Sequence, residues 1–154
     1  MGKDDWPREK KWRHLYTRIV KVKRSCQLGF EHPGLSERER IETEIVNVLF
    51  VCTMNKWRSL TAEELYRKHP LLNCRSAGTS SKARRKIGLS DIRWADLIIV
   101  MEDKHHDRIE ADYRDEIRDK EIHVLEVEDQ FKYMDDELIE ELQFVLDPIF
   151  LVES

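Results

Sequence analysis

Cys52 and Arg58 are separated by five residues, in the run Cys52-Thr53-Met54-Asn55-Lys56-Trp57-Arg58-Ser59. A cysteine and an arginine so placed can wrap a tetrahedral oxyanion. The N–H groups of the intervening peptides form a nest, and a helix that follows adds its positive end. Arg58 supplies a planar fork able to grip two phosphate oxygens. The same donors stabilise Cys52 as a thiolate when the site is empty. Ser59 can donate its hydroxyl to that sulfur, steadying it as nucleophile and then as leaving group. Asn55, in mid-loop, is a residue type that tolerates left-handed backbone angles or ties a loop through its side chain. The spacing alone is a weak signal. Among 27 Lys and Arg, chance matches are common, and a cysteine at a strand end is more often a small core hydrophobe. The context strengthens it: an apolar run ends on the cysteine, a serine follows the arginine, and a helical pattern begins there.

The elements that must hold this loop are legible around it. From Val46 onward the apolar pattern alternates between strand and helix. Strands are expected at 46–51, 72–76, 97–101 and 121–125, with helices at 59–69, 90–94, 104–114 and 135–150. Such an order calls for a parallel sheet covered on both faces, with ligands at the carboxyl ends of the strands. Ahead of it, Trp12, Leu15, Tyr16, Ile19 and Val20 recur at helical spacing over 8–24, behind Pro7. Gly29, Pro33 and Gly34 then break the pattern. The chain thus divides into a basic extension, 1–45, with one amphipathic helix, and an α/β domain, 46–154.

Charge is unevenly spread. Residues 1–25 hold nine Lys/Arg against three Asp/Glu, and residues 126–154 hold ten Asp/Glu against one lysine. Two solvated faces, or a basic arm resting on the acidic face of its own domain, account for this more simply than nucleic acid or lipid does, and no binding motif for either accompanies the basic residues. No apolar run approaches the roughly 20 residues that span a bilayer, so neither a membrane nor a nucleic-acid partner is expected. The three cysteines, Cys26, Cys52 and Cys74, fit no disulfide framework or zinc pattern. The expected setting is the cytoplasm.

The segment from Val48 to Ser59 resembles the phosphate loop of the low-molecular-weight protein tyrosine phosphatase superfamily, Cys-x-x-Asn-x-x-Arg-Ser after a strand of this type. Thr61-Ala62-Glu63 is similar to the small-Ala-Glu helix start that follows. Ser76-Ala77-Gly78-Thr79 resembles the motif after the second strand, and Trp94 to Glu102 the third-strand segment. Asp129-Gln130-Phe131 resembles the acid loop, Asp-Pro-Tyr. The nearest likeness is to a compact bacterial branch of predicted phosphatases.

The resemblance implies a three-layer sandwich with a four-stranded parallel sheet in the order 2-1-3-4. It also implies a two-step hydrolysis of phosphate monoesters, of protein phosphotyrosine or a small aryl phosphate, with phosphate and vanadate as inhibitors. Cys52, Arg58 and Asp129 would be catalytic. Thr53, Met54, Asn55, Lys56, Trp57, Ser59 and Phe131 would contact the substrate. No metal or other cofactor is implied. Asp135 and Asp136 are alternatives to Asp129 as the acid.

Several positions depart from the family pattern. Trp57 stands where many members have a second cysteine, Met54 where a glycine is common, Leu60 and Gln130 where prolines are. The stretch 79–97 is shorter than usual and carries Lys82, Arg84, Arg85 and Lys86, which read first as a solvated basic loop and otherwise as a lure for anions. His105 and His106, adjacent on a helix, face different sides and make a poor shared metal site. Cys74 reads as core. An arsenate reductase of this fold would need further downstream cysteines, and none follows Cys74. A phosphoprotein-binding module would have no need of the acid.

Overall fold

In the computed structural model, which describes residues 45–150, the apolar run after Ile45 forms β1 (Val46–Cys52). The helix α1 (Arg58–Tyr66), β2 (Leu72–Gly78), α2 (Leu89–Trp94), β3 (Leu97–Val100), α3 (Asp103–Tyr113), β4 (Glu121–Val124) and α4 (Asp136–Phe150) follow. The basic extension and its expected helix lie outside the described residues. The strands form one four-stranded sheet in the order β2-β1-β3-β4, parallel throughout. The architecture is the expected one.

β1 is the axis of the molecule, and its side chains alternate between two cores, as a strand with both faces covered must. Val46, Val48, Phe50 and Cys52 belong to one core, with Ala62 and Tyr66 of α1 and Leu138, Leu142 and Leu146 of α4. Leu49 and Val51 belong to the other, with Ile92 of α2 and Ile109 of α3. Cys52 therefore ends the strand on the face where α1 begins. β2 runs two residues beyond the expected end, because the register pairs Ala77 with Val51 and Gly78 with Cys52. The chain after β4 keeps to the same edge: the Leu125 N–H donates to the Val100 carbonyl at 2.9 Å and the Val127 N–H to that of Met101 at 2.8 Å. The loops after β1, β3 and β4 thus meet at the carboxyl end of the sheet, where open parallel sheets place their ligands.

Candidate active site

The loop from Cys52 to Arg58 is held from outside by the segment after β2. The Thr79, Ser80 and Arg84 N–H groups donate to the carbonyls of Cys52, Thr53 and Met54 at 3.0, 3.0 and 2.9 Å. The Arg84 Nε donates to the Asn55 carbonyl at 3.1 Å. With successive carbonyls drawn outward, peptide N–H groups are left for the concave side. The Asn55 N–H shows this directly, reaching Cys52 Sγ at 3.3 Å. Asn55 makes the turn possible by taking a left-handed angle, φ 54°, a conformation asparagine adopts more readily than most residues. Met54 needs no such angle, since the left-handed residues among those described are Asn55, Glu126 and Met134. Its replacement of glycine carries no backbone strain.

Gly78 is required by close approach. A Cβ there would lie 2.5 Å from the Thr53 carbonyl oxygen and 2.5 Å from the Ala83 Cβ. No side chain caps the first turn of α1, so its N–H groups remain open towards the loop.

On the sulfur, Ser59 Oγ lies 2.9 Å from Cys52 Sγ and receives a hydrogen bond from Asn55 Nδ2 at 2.8 Å. Arg58 is 1% exposed. Its Nη1 donates to Glu102 Oε1 at 2.5 Å and to the Val127 carbonyl at 2.8 Å. Among the described residues Nε and Nη2 make no hydrogen bond, and Asp129 Oδ1 stands 3.6 Å from Nε. That edge of the fork is the one left for an oxyanion. Partial burial pushes the Glu102 carboxyl up, but the hydrogen bond and charge of Arg58 outweigh it and hold it below the usual carboxylate range.

A further contact braces the loop from the β3 side. The Glu102 N–H donates to His105 Nδ1 at 3.0 Å, which leaves the ring proton on Nε2, donated to Thr53 Oγ1 at 2.8 Å. Burial and the nearby Arg58 guanidinium lower this imidazole to about 4, so His105 is neutral at pH 7 and suited to that tautomer.

A cavity of about 160 Å³ opens over the sulfur, lined by Cys52, Met54, Lys56, Trp57, Arg58 and Asp129. All but one of the expected residues form two groups around it. Those six share the cavity. Thr53, Asn55 and Ser59 sit behind it, as the loop's supports. Phe131 is elsewhere: it is buried in the core shared by α1 and α4 and does not line the cavity. Asp135 stands at the start of α4, where its Oδ1 accepts from the Glu137 N–H at 2.9 Å.

The structure also adds residues that sequence reasoning passed over. Glu102, His105 and the Val127 carbonyl hold the loop across the sheet. The basic run is only partly a solvated loop. Arg84 binds Asn55 through its backbone oxygen and through Oδ1, and Arg85 binds the Ser76 carbonyl and the buried Asp91. The residue types gave a hint, since arginine is the basic side chain suited to bridging two acceptors.

No protein-family model matches the sequence, and no curated protein matches it significantly. Solved structures share the fold. The YwlE arginine phosphatase from Geobacillus stearothermophilus superposes with a TM-score of 0.54 at 22% identity, covering 69% of this chain and 91% of that one. SP-PTP, a low molecular weight protein tyrosine phosphatase from Streptococcus pyogenes, gives 0.54 at 19% identity over 68% and 89%. The tyrosine phosphatase Wzb from Escherichia coli K30, in complex with phosphate, gives 0.53 at 21% identity over 68% and 94%. The chain has the fold of the low-molecular-weight protein tyrosine phosphatases.

Proposed function

We propose that this protein hydrolyses phosphate monoesters through a cysteinyl-phosphate intermediate. The observation that carries the reading is the convergence on one cavity of Cys52 at the end of β1, Arg58 at the start of α1 and Asp129 in the loop after β4. Cys52 attacks phosphorus in line with the ester oxygen. Arg58, the loop N–H groups and the start of α1 balance the charge that builds on the phosphoryl oxygens. Asp129 protonates the departing oxygen and then accepts a proton from the water that releases phosphate.

The similarity of the fold to phosphatases, one of them solved with phosphate bound, supports this reading. The substrate we propose is protein phosphotyrosine. Trp57 is 41% exposed and shares the lining with Met54, which offers an aryl ring an apolar wall. That wall comes from the phosphate loop itself, because the short segment after β2 is committed to bracing the loop.

The test is turnover of a generic aryl phosphate by wild type and by Cys52→Ser. The variant should lose all measurable turnover and still bind phosphate or vanadate, since the loop amides and Arg58 remain. Residual turnover in Cys52→Ser would sink the mechanism. Oxyanion binding with no turnover in either protein would make this a binding module instead.

A further inference from the structure

The shortened, basic segment between β2 and α2 reaches into the site through one side chain. Arg84 is an exposed residue, yet its guanidinium bridges two oxygens of Asn55, a residue 0% exposed. Nε donates to the backbone carbonyl at 3.1 Å and Nη2 to Oδ1 at 3.0 Å. A guanidinium carries donors and no acceptor. The Asn55 oxygen must therefore face Arg84, and its NH₂ must face Ser59, to which it donates at 2.8 Å. The Ser59 hydroxyl proton cannot then point at Asn55. Its remaining partner in this cluster is Cys52 Sγ, 2.9 Å away. With the amide turned over, Oδ1 would claim that proton and the sulfur would lose it.

We propose that Arg84 is a positioning residue for the nucleophile: it fixes the orientation of the Asn55 amide and so directs the Ser59 hydroxyl proton onto Cys52. The inference rests on the hydrolytic reading of the site. The exposed charge of Arg84 is screened by water, so its contribution is direction rather than attraction. The consequence falls on the second chemical step. Water adds to phosphorus, the S–P bond breaks with its electron pair going to sulfur, and the water proton passes to Asp129. The sulfur departs as a thiolate, and the hydrogen bond from Ser59 stabilises it as it does so.

The experiment compares wild type, Arg84→Ala, Ser59→Ala and the double variant, with thermal melts to show that each is folded. Arg84→Lys, which keeps length and charge but lacks the fork, replaces Arg84→Ala if the latter does not fold. With an aryl phosphate, Arg84→Ala should lower kcat about tenfold. KM should fall with it, and a burst of released phenol should appear as breakdown of the phosphoenzyme becomes limiting. Ser59→Ala should show the same signature, and the double variant should lose no more than Ser59→Ala alone. An unchanged kcat in Arg84→Ala, or losses that multiply in the double variant, would overturn the proposal.

Tungstate binding by calorimetry is read in the same proteins without turnover. Arg84→Ala should bind it about tenfold more weakly, because the loop is no longer ordered in advance. Unchanged tungstate affinity also overturns the role of Arg84. If wild type turns over nothing and Arg84→Ala still weakens tungstate binding, the hydrolytic reading fails while Arg84 keeps its place as the residue that orders the loop.

Discussion

Cys52 and Cys74 have the same side chain and opposite surroundings. Cys52 opens on the cavity and is approached by the Ser59 hydroxyl and the Asn55 N–H. Cys74 is pushed up to about 12, first by burial and then by the charge of Glu63, and its sulfur faces the Tyr66 carbonyl at 3.6 Å. A thiol in such surroundings is inert near neutral pH. In a Cys26→Ser background, a haloacetamide at pH 7 should therefore modify Cys52 and leave Cys74 untouched, and phosphate should protect Cys52. Peptide mapping that found Cys74 labelled at a comparable rate would contradict this.

Asp129 is tested by leaving group. Asp129→Asn should lower kcat by about 10²–10⁴-fold for esters with poor leaving groups, and far less for activated ones that need no proton. Equal losses across the series would remove Asp129 from the acid role. Asp135, which accepts from the Glu137 N–H, should behave as a helix-start residue, with its alanine variant costing about 1 kcal/mol of stability and little turnover.

At the scale of elements, the segment after β2 and the start of α3 brace the phosphate loop from two sides. Gly78 lets the first of these lie against it. Gly78→Ala places a methyl group where a backbone oxygen and the Ala83 Cβ both stand at 2.5 Å. A shift of the loop should follow, lowering stability by about 1–3 kcal/mol and turnover by at least tenfold, with melting and kcat measured together. Normal turnover in a folded Gly78→Ala protein would show that the loop tolerates the shift.

The second brace is sensitive to pH. His105 is lowered to about 4, against roughly 6.5 in an unfolded chain. Between these values the unfolded chain binds the proton and the folded one does not, so stability falls as pH drops from about 6.5 to about 4 and is complete above that window. Each pH unit inside it is worth at most about 1.4 kcal/mol from this residue. His105→Gln, compared with wild type by denaturant melts across that range, should show a shallower loss. Parallel curves for the two proteins would refute the assignment.

For the whole molecule, every residue placed in the candidate site lies after Val46, and the described residues, 45–150, hold the four-stranded sheet and both cores. No helix among the described residues is long and apolar enough to cross a membrane. Deleting residues 1–44 should therefore leave a folded domain that hydrolyses an aryl phosphate with kcat within about threefold of the full chain, a change of well under 1 kcal/mol in barrier. If the basic extension rests on the acidic face of its own domain, rising salt should reduce any stability difference between the two proteins. A truncated protein that folds normally and loses activity would place the extension at the cavity instead.

The sequence by itself determined the order of elements, because a strand buried on both faces and helices with one apolar face leave their periods in the chain. It also determined the cluster of Cys52, Asn55, Arg58 and Ser59, since strand, loop and helix start are contiguous and their chemistry is local. What only the tertiary structure decided is what lies across the sheet from that loop. Glu102 and His105 look like ordinary surface residues of a helix start, and Arg84 like one charge in a basic run. Their meaning comes from hydrogen bonds to Arg58, Thr53 and Asn55 that span 44, 52 and 29 residues, separations at which no periodicity carries information. Phe131 shows the converse. Two positions from Asp129 it reads as a wall of the pocket, but it is buried in the core with residues of α1 and α4, where burying apolar surface outweighs leaving it at an open cavity.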